Sequence, residues 1–142
     1  MTTKEYLSQT WRVNRLINTK LEQVQELRDL AEKASTTLSH SPPSGTRNVH
    51  SMEDVIVQLV DLGNELKDDI AVLVNLKREI SAAIKSVANP DFRIVLELRY
   101  LAFKSWEEIM ADMRYSRPHT YRLHERALKA IRVPEKDETK MH

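Results

Sequence analysis

Apolar residues recur along this chain in two helical rhythms with one interruption between them. Over residues 3–38 they fall at Tyr6, Val13, Ile17, Val24, Leu27, Ala31, Ala34 and Leu38, in steps of three, four and seven. Arg15, Glu22, Glu26, Arg28 and Glu32 lie between them, as the wet face of an amphipathic helix requires. Lys20 and Gln9 or Thr10 interrupt this seam, and Trp11 near its start reads as a packing anchor. Residues 52–87 repeat more strictly. Met52, Leu59, Leu66, Leu73, Ile80 and Val87 follow every seventh position, with Val55, Leu62, Leu76 and Ala83 as companions and Asp69 as a break. A heptad held that long predicts coiled-coil packing. Each segment has about 36 residues, roughly 54 Å at 1.5 Å per residue. Arms of equal length predict an antiparallel hairpin.

Between the arms, HSPPSGTRNVHS brings two prolines, a glycine and small polar residues that continue neither helix. This predicts a flexible loop over residues 39–51. Asn89-Pro90 ends the second arm, because the residue before proline is pushed out of the α region. Asp91 then opens a helix to about residue 103, with Phe92, Val95, Leu98 and Leu101 inward. Ser105 with Glu108 forms a capping box for a short helix over 105–113, given apolar contacts by Trp106, Ile109, Met110 and Met113. Only Arg114 and Tyr115 precede the next start, where Ser116 is a good N-cap and Pro118 falls in a first turn that needs no N–H from it. Thr120, Leu123, Ala127, Leu128 and Ile131 form the buried stripe of that last helix. So short a connection predicts a steep crossing, the helix-turn-helix arrangement. The fold class is therefore all-α: a coiled-coil-like arm over 1–88, a three-helix head over 89–132 and a disordered tail over 133–142.

Composition agrees and narrows the function. Of 142 residues 41% are hydrophobic, only two are Gly and none is Cys, which favours long helices and excludes disulfides and Cys-based zinc sites. No charged-then-apolar leader or long apolar run is present, so the bacterial cytoplasm is the expected location. Phosphate-loop, zinc-protease and nucleophile-elbow motifs are missing, and His119 and His124 are spaced wrongly for metal ligands on one face. His40 and His50 read as solvated loop residues and Asp68-Asp69 as a hydrated face. The expectation is a protein without cofactor, metal or enzymatic site.

Charge singles out the last helix. Arg117, Tyr121, Arg122, Glu125, Arg126, Lys129 and Arg132 face away from its stripe; five cations less one carboxylate give +4 on a chain of net charge +1. Such a row is either a solvated surface or a local footprint for nucleic acid. Its place directly after a tight turn favours the second, since arginine there can bond guanine in the major groove. On the arm, Ile56, Ile70 and Ile84 widen the apolar face beyond one seam. A patch of that kind predicts either a homodimer through the arms or arms folded back on their own head.

The stretch VLELRYLAFKSWEEIMADMRYSRPHTYRLHERALKAI resembles region 4 of the sigma-70 family of RNA polymerase sigma factors. In its architecture the whole chain resembles small Gram-positive phage and prophage proteins close to the RinA and ArpU late transcriptional regulators. The resemblance implies base-edge contacts from Arg117 and Arg122, which Tyr121 joins by position, and phosphate contacts from Ser116, Arg126 and Lys129. His119, at the groove-facing start, makes a phosphate or base contact or is simply solvent-exposed. Three positions depart from the pattern: Met110 for a small residue, Arg114 for the turn glycine and Pro118 for a polar base reader. A bulky residue at positive φ is costly, so Arg114 predicts an opened or reshaped turn. The implied function is a phage-type, sequence-specific regulator of transcription at the host nucleoid. Double-stranded DNA is its partner and host RNA polymerase a further one. The alternative is a coiled-coil adaptor whose head does not touch DNA.

Overall fold

The computed structural model describes residues 1–40 and 46–134, with side chains placed for 1–35 and 52–134. The centre of the expected loop, 41–45, and the tail from 135 onward lie outside the described residues. The fold is all-α. Helices α1 (Thr3–His40) and α2 (Thr46–Lys85) have 38 and 40 residues. Both reach further into the 39–51 break than the sequence predicts: α1 runs to His40, short of the Pro42-Pro43 pair, and α2 starts at Thr46 because residues 46–51 contain neither Pro nor Gly. There follow α3 (Pro90–Leu96), which runs into a π-helical segment Glu97–Leu101, then α4 (Trp106–Met113) and α5 (Arg117–Ala130).

By internal packing the chain forms two compact units, one of Asn14–Val72 and one of Met1–Val13 with Leu73–His142. In the first, the two long helices run antiparallel. Lys20 meets Asp69, while Leu27 and Leu30 share a shallow groove of about 400 Å³ with Gln58 and Leu62. Ile17, Val55 and Leu66 are the buried hydrophobic residues of this unit among those described.

The second unit holds the main core. Tyr6 and Leu7 of α1, Ile80 and Ile84 of α2, and Val87 after it pack with Val95, Leu96, Tyr100, Ile109, Leu123, Ala127 and Ile131. The short helices are therefore packed together with the first turns of α1 and the last of α2. Each fully buried aliphatic side chain here contributes about 1.5–3 kcal/mol. Val133 packs partly against the same cluster, so the expected disordered tail is ordered at its first residue. Thr10, which interrupts the α1 pattern, is fully buried and donates to the carbonyls of Leu7 at 3.0 Å and Tyr100 at 2.9 Å. Trp11 is an anchor as expected, its Nε1 donating to the Arg99 carbonyl at 2.9 Å.

The helix after Asn89 differs from its prediction. Asn89 caps it by accepting from the N–H groups of Asp91 and Phe92. After Leu96, however, the backbone widens, and Ala102 N–H donates to Glu97 C=O, five residues back, at 2.9 Å. The extra residue per turn rotates the inward face. Leu96 and Tyr100 become buried, while Leu98 and Leu101 are left at its edge.

Candidate nucleic-acid interface

Helices α4 and α5 have strong local starts. The Ser105 hydroxyl accepts from Glu108 N–H at 3.2 Å, and the Glu108 carboxylate accepts from Ser105 N–H at 3.2 Å, closing the predicted capping box. These bonds, with Lys104 at 3.7 Å, hold the Glu108 carboxyl below its usual range. Ser116 caps α5, accepting from His119 N–H at 3.3 Å, with Pro118 in the first turn.

The turn between them keeps its tight form. Arg114 adopts the left-handed conformation itself, φ 59° and ψ 40°, and its N–H still reaches Met110 C=O. The expectation that Arg114 opens or reshapes the turn is therefore corrected. Its side chain points into solvent, so only backbone strain of roughly 1 kcal/mol opposes the conformation.

α5 buries Thr120, Leu123, His124 and Ala127, with Ile131 at its end. Leu128 lies at the edge of this stripe, and His124 takes an inward place that the sequence pattern does not assign. At 100° per residue, Pro118, Arg122, Glu125 and Lys129 stand opposite the buried row, with Arg126 beside them. All five are exposed. Arg122, Arg126, Lys129 and Arg132 have no ion-pair partner among the described residues. Arg122 and Arg126 are one turn apart, a like-charge spacing that costs a few tenths of a kcal/mol.

The other candidates sit on the flanks. Arg117 turns toward α4, where its guanidinium bonds Glu107 Oε1 at 3.1 Å and the Tyr121 hydroxyl at 2.8 Å. It therefore lies beside the outward row that the sequence assigns it to. These contacts raise the Arg117 pKa further, and a backbone N–H bond followed by Arg117 lowers that of Glu107. Tyr121 packs edge-on against Trp106, ring centres 5.2 Å apart. On the opposite flank His119 packs edge-on against Tyr115 at 4.3 Å, and Tyr115 donates its hydroxyl to Asp91 at 3.2 Å. Ser116 is exposed but engaged as the cap. Aromatic contacts thus clamp the start of α5 on both sides and fix its direction.

Beneath the helix, the Tyr100 hydroxyl and His124 Nε2 are 2.7 Å apart and the rings stack at 5.7 Å. Burial, with Lys4 and Arg99 nearby, depresses the His124 pKa to about 4, and burial pushes Tyr100 up to about 12. Both are neutral near pH 7. Arg99 lies between Trp11 and Trp106, 4.5 Å from each ring centre, and burial lowers its pKa. These positioning residues leave faint signals in the sequence. His124 fits the four-three-four spacing of Thr120, Ala127 and Ile131, but its polarity conceals it.

The chain is thus an all-α protein of two long packed helices followed by three shorter ones, the last of them basic on its outer face. Residues 33–132 match the family model DUF1492, described as a protein of unknown function, and the chain belongs to that family. No curated protein and no solved structure matches it. Among the described residues no helix is long and apolar enough to cross a membrane, and no group of His, Asp or Glu is placed to hold a metal ion.

Proposed function

We propose that this chain binds duplex DNA through the outer face of α5 and regulates transcription, as a phage-type regulator without enzymatic activity. One observation carries the reading: Arg122, Arg126 and Lys129 stand together, exposed and without ion pairs among the described residues, on a helix clamped along both flanks. Arg122 and Arg126, one turn apart, repel, and Glu125 is the one carboxylate among the outward side chains of this helix. The first turn of α5 carries Arg117 and no carboxylate, the wrong sign for the helix dipole but suited to an approaching phosphate.

In this reading α5 enters the major groove by its N-terminal half. Pro118 occupies the outward position of the first turn and offers no hydrogen-bond donor, so Arg122 is the first outward side chain able to bond a base edge. Tyr121 and Arg117 approach from the Trp106 side; Ser116, His119, Arg126 and Lys129 meet phosphates. Arg117 contributes fully only when it releases Glu107. The likeness to sigma region 4 extends the proposal to contact with host RNA polymerase in the bacterial cytoplasm. Selecting bound fragments from random duplex, for wild type and Arg122→Ala, tests it. A defined motif is expected, with the variant relaxed at one base pair and weakened by about 1–3 kcal/mol. Failure to enrich any motif would favour an adaptor role for the arms.

A further inference from the structure

We propose that α2 carries a second seam, separate from the one facing α1, through which two copies of this chain pair. Ile56, Val60, Gly63, Lys67 and Ile70 recur along α2 in steps of four and three, the rhythm of a coiled-coil stripe. The stripe lies about a quarter turn around the helix from the buried Val55 and Leu66. Ile56, Val60 and Ile70 are 52%, 57% and 46% exposed, which a helix covered only by α1 leaves unexplained. The unit Asn14–Val72 exposes eight large aliphatic side chains and buries three, among those described. Single exposed aliphatics are ordinary; a periodic row of them on a two-helix unit marks an interface.

Gly63 is the second observation. It sits in the middle of α2, where glycine weakens a helix, and a Cβ added to it would meet nothing within 4 Å. Nothing among the described residues requires the missing side chain. A second helix crossing closely at this point does.

The spacing identifies the occupant as another copy. Ile56 and Ile70 lie seven residues to either side of Gly63. An antiparallel pair about a two-fold axis beside Gly63 sets Ile56 of one copy near Ile70 of the other, with both glycines at the crossing. A two-fold interface must be self-complementary in this way. Lys67 then lies opposite Leu59 and Val60 of the second copy, its stem over Val60 and its ammonium outward. Ile56, Val60 and Ile70 supply on the order of 300 Å² of aliphatic surface. Their polar neighbours bring the strip toward the roughly 800 Å² per partner of a stable dimer.

The pairing is independent of DNA binding and is tested without it. Sedimentation of the full chain at tens of micromolar should give a dimer, and Val60→Glu, at an exposed position, should weaken association at least tenfold while leaving the helical signal unchanged. The chain has no cysteine, so Gly63→Cys should form a disulfide-linked dimer on mild oxidation. Asp61→Cys, on the other side of α2, should not. A monomer at every concentration, undiminished association of Val60→Glu, or equal cross-linking by both cysteine variants would overturn the proposal.

Discussion

Lys20 Nζ lies 2.6 Å from Asp69 Oδ2, joining the two residues that break the apolar seams of α1 and α2. Their side chains are 20% and 23% exposed, so neither is free in water. Asp69 raises the Lys20 pKa through this bond, and Glu65 stands 3.8 Å from the same ammonium. Two helices with long heptads can slide by a turn at little cost, and a polar pair inside the seam is satisfied in one register alone.

The pair therefore acts as a register lock. Lys20→Asp or Asp69→Lys alone should lower the melting temperature, and the double exchange should restore most of the loss. Thermal melts of the four proteins check it. Single variants that melt like wild type would show that the pair fixes nothing.

The buried Tyr100–His124 pair predicts a pH dependence of stability. Unfolded, His124 titrates near 6.5; folded, near 4. Between those values the unfolded chain holds the proton and the native chain does not. The contribution is complete above about pH 6.5 and is lost as pH falls toward 4, in total of order 2 kcal/mol. Urea titrations at pH 7.5 and 5 should differ in wild type and much less in His124→Phe. Glu107 and Glu108, held below 4.5, lose their own contributions as pH falls through about 4.5, so the comparison is made at pH 5 and above. An equal pH response in both proteins would contradict the assignment.

Among the described residues two non-glycines have positive φ, Arg114 at 59° and Phe103 at 57°, and glycine should act oppositely at the two. The Arg114 side chain is exposed, so Arg114→Gly should stabilise by about 1 kcal/mol through relief of strain alone. Phe103 packs on Trp11 with ring centres 5.6 Å apart and lies beneath the Lys77 ammonium, so Phe103→Gly should destabilise. Denaturant midpoints decide it, and a less stable Arg114→Gly would count against the turn as described.

Glu107 restrains Arg117, and the DNA-binding reading makes that restraint a measurable one. Glu107→Gln removes a carboxylate near the expected phosphates and frees the guanidinium. Duplex affinity should rise about two- to fivefold at low salt and less at high salt. Fluorescence anisotropy on the labelled duplex measures it. Unchanged or weaker binding would place Arg117 outside the interface.

Much of this architecture can be read directly from the chain, because caps and heptads are local. Ser105 with Glu108, Ser116 and Asn89 mark their helix starts, and the seam from Val55 through Leu66 to Ile80 declares the hairpin. What escapes is non-local. Lys20 and Asp69 each read as a flaw until the other is placed beside it. Thr10 reads as polar until the Tyr100 carbonyl, ninety residues away, accepts its hydroxyl. The π-helical segment shifts an inward face that a steady 3.6-residue count assigns to Leu98 and Leu101. Arg117 is grouped with the outward cations by charge, but its helix position puts it on the flank with Tyr121, where Glu107 on α4 meets it.

The most direct test of DNA binding by α5 is the salt dependence of duplex affinity for wild type and for Arg122→Ala/Arg126→Ala/Lys129→Ala. Each phosphate contact contributes about −0.9 to the slope of log K against log salt. All three side chains are exposed, so the variant should fold normally. Wild type should give a slope of about −3 or steeper, and the variant should lose about two units of it along with most of its affinity. Equal slopes in the two proteins, or no duplex binding by wild type at low salt, would contradict the account.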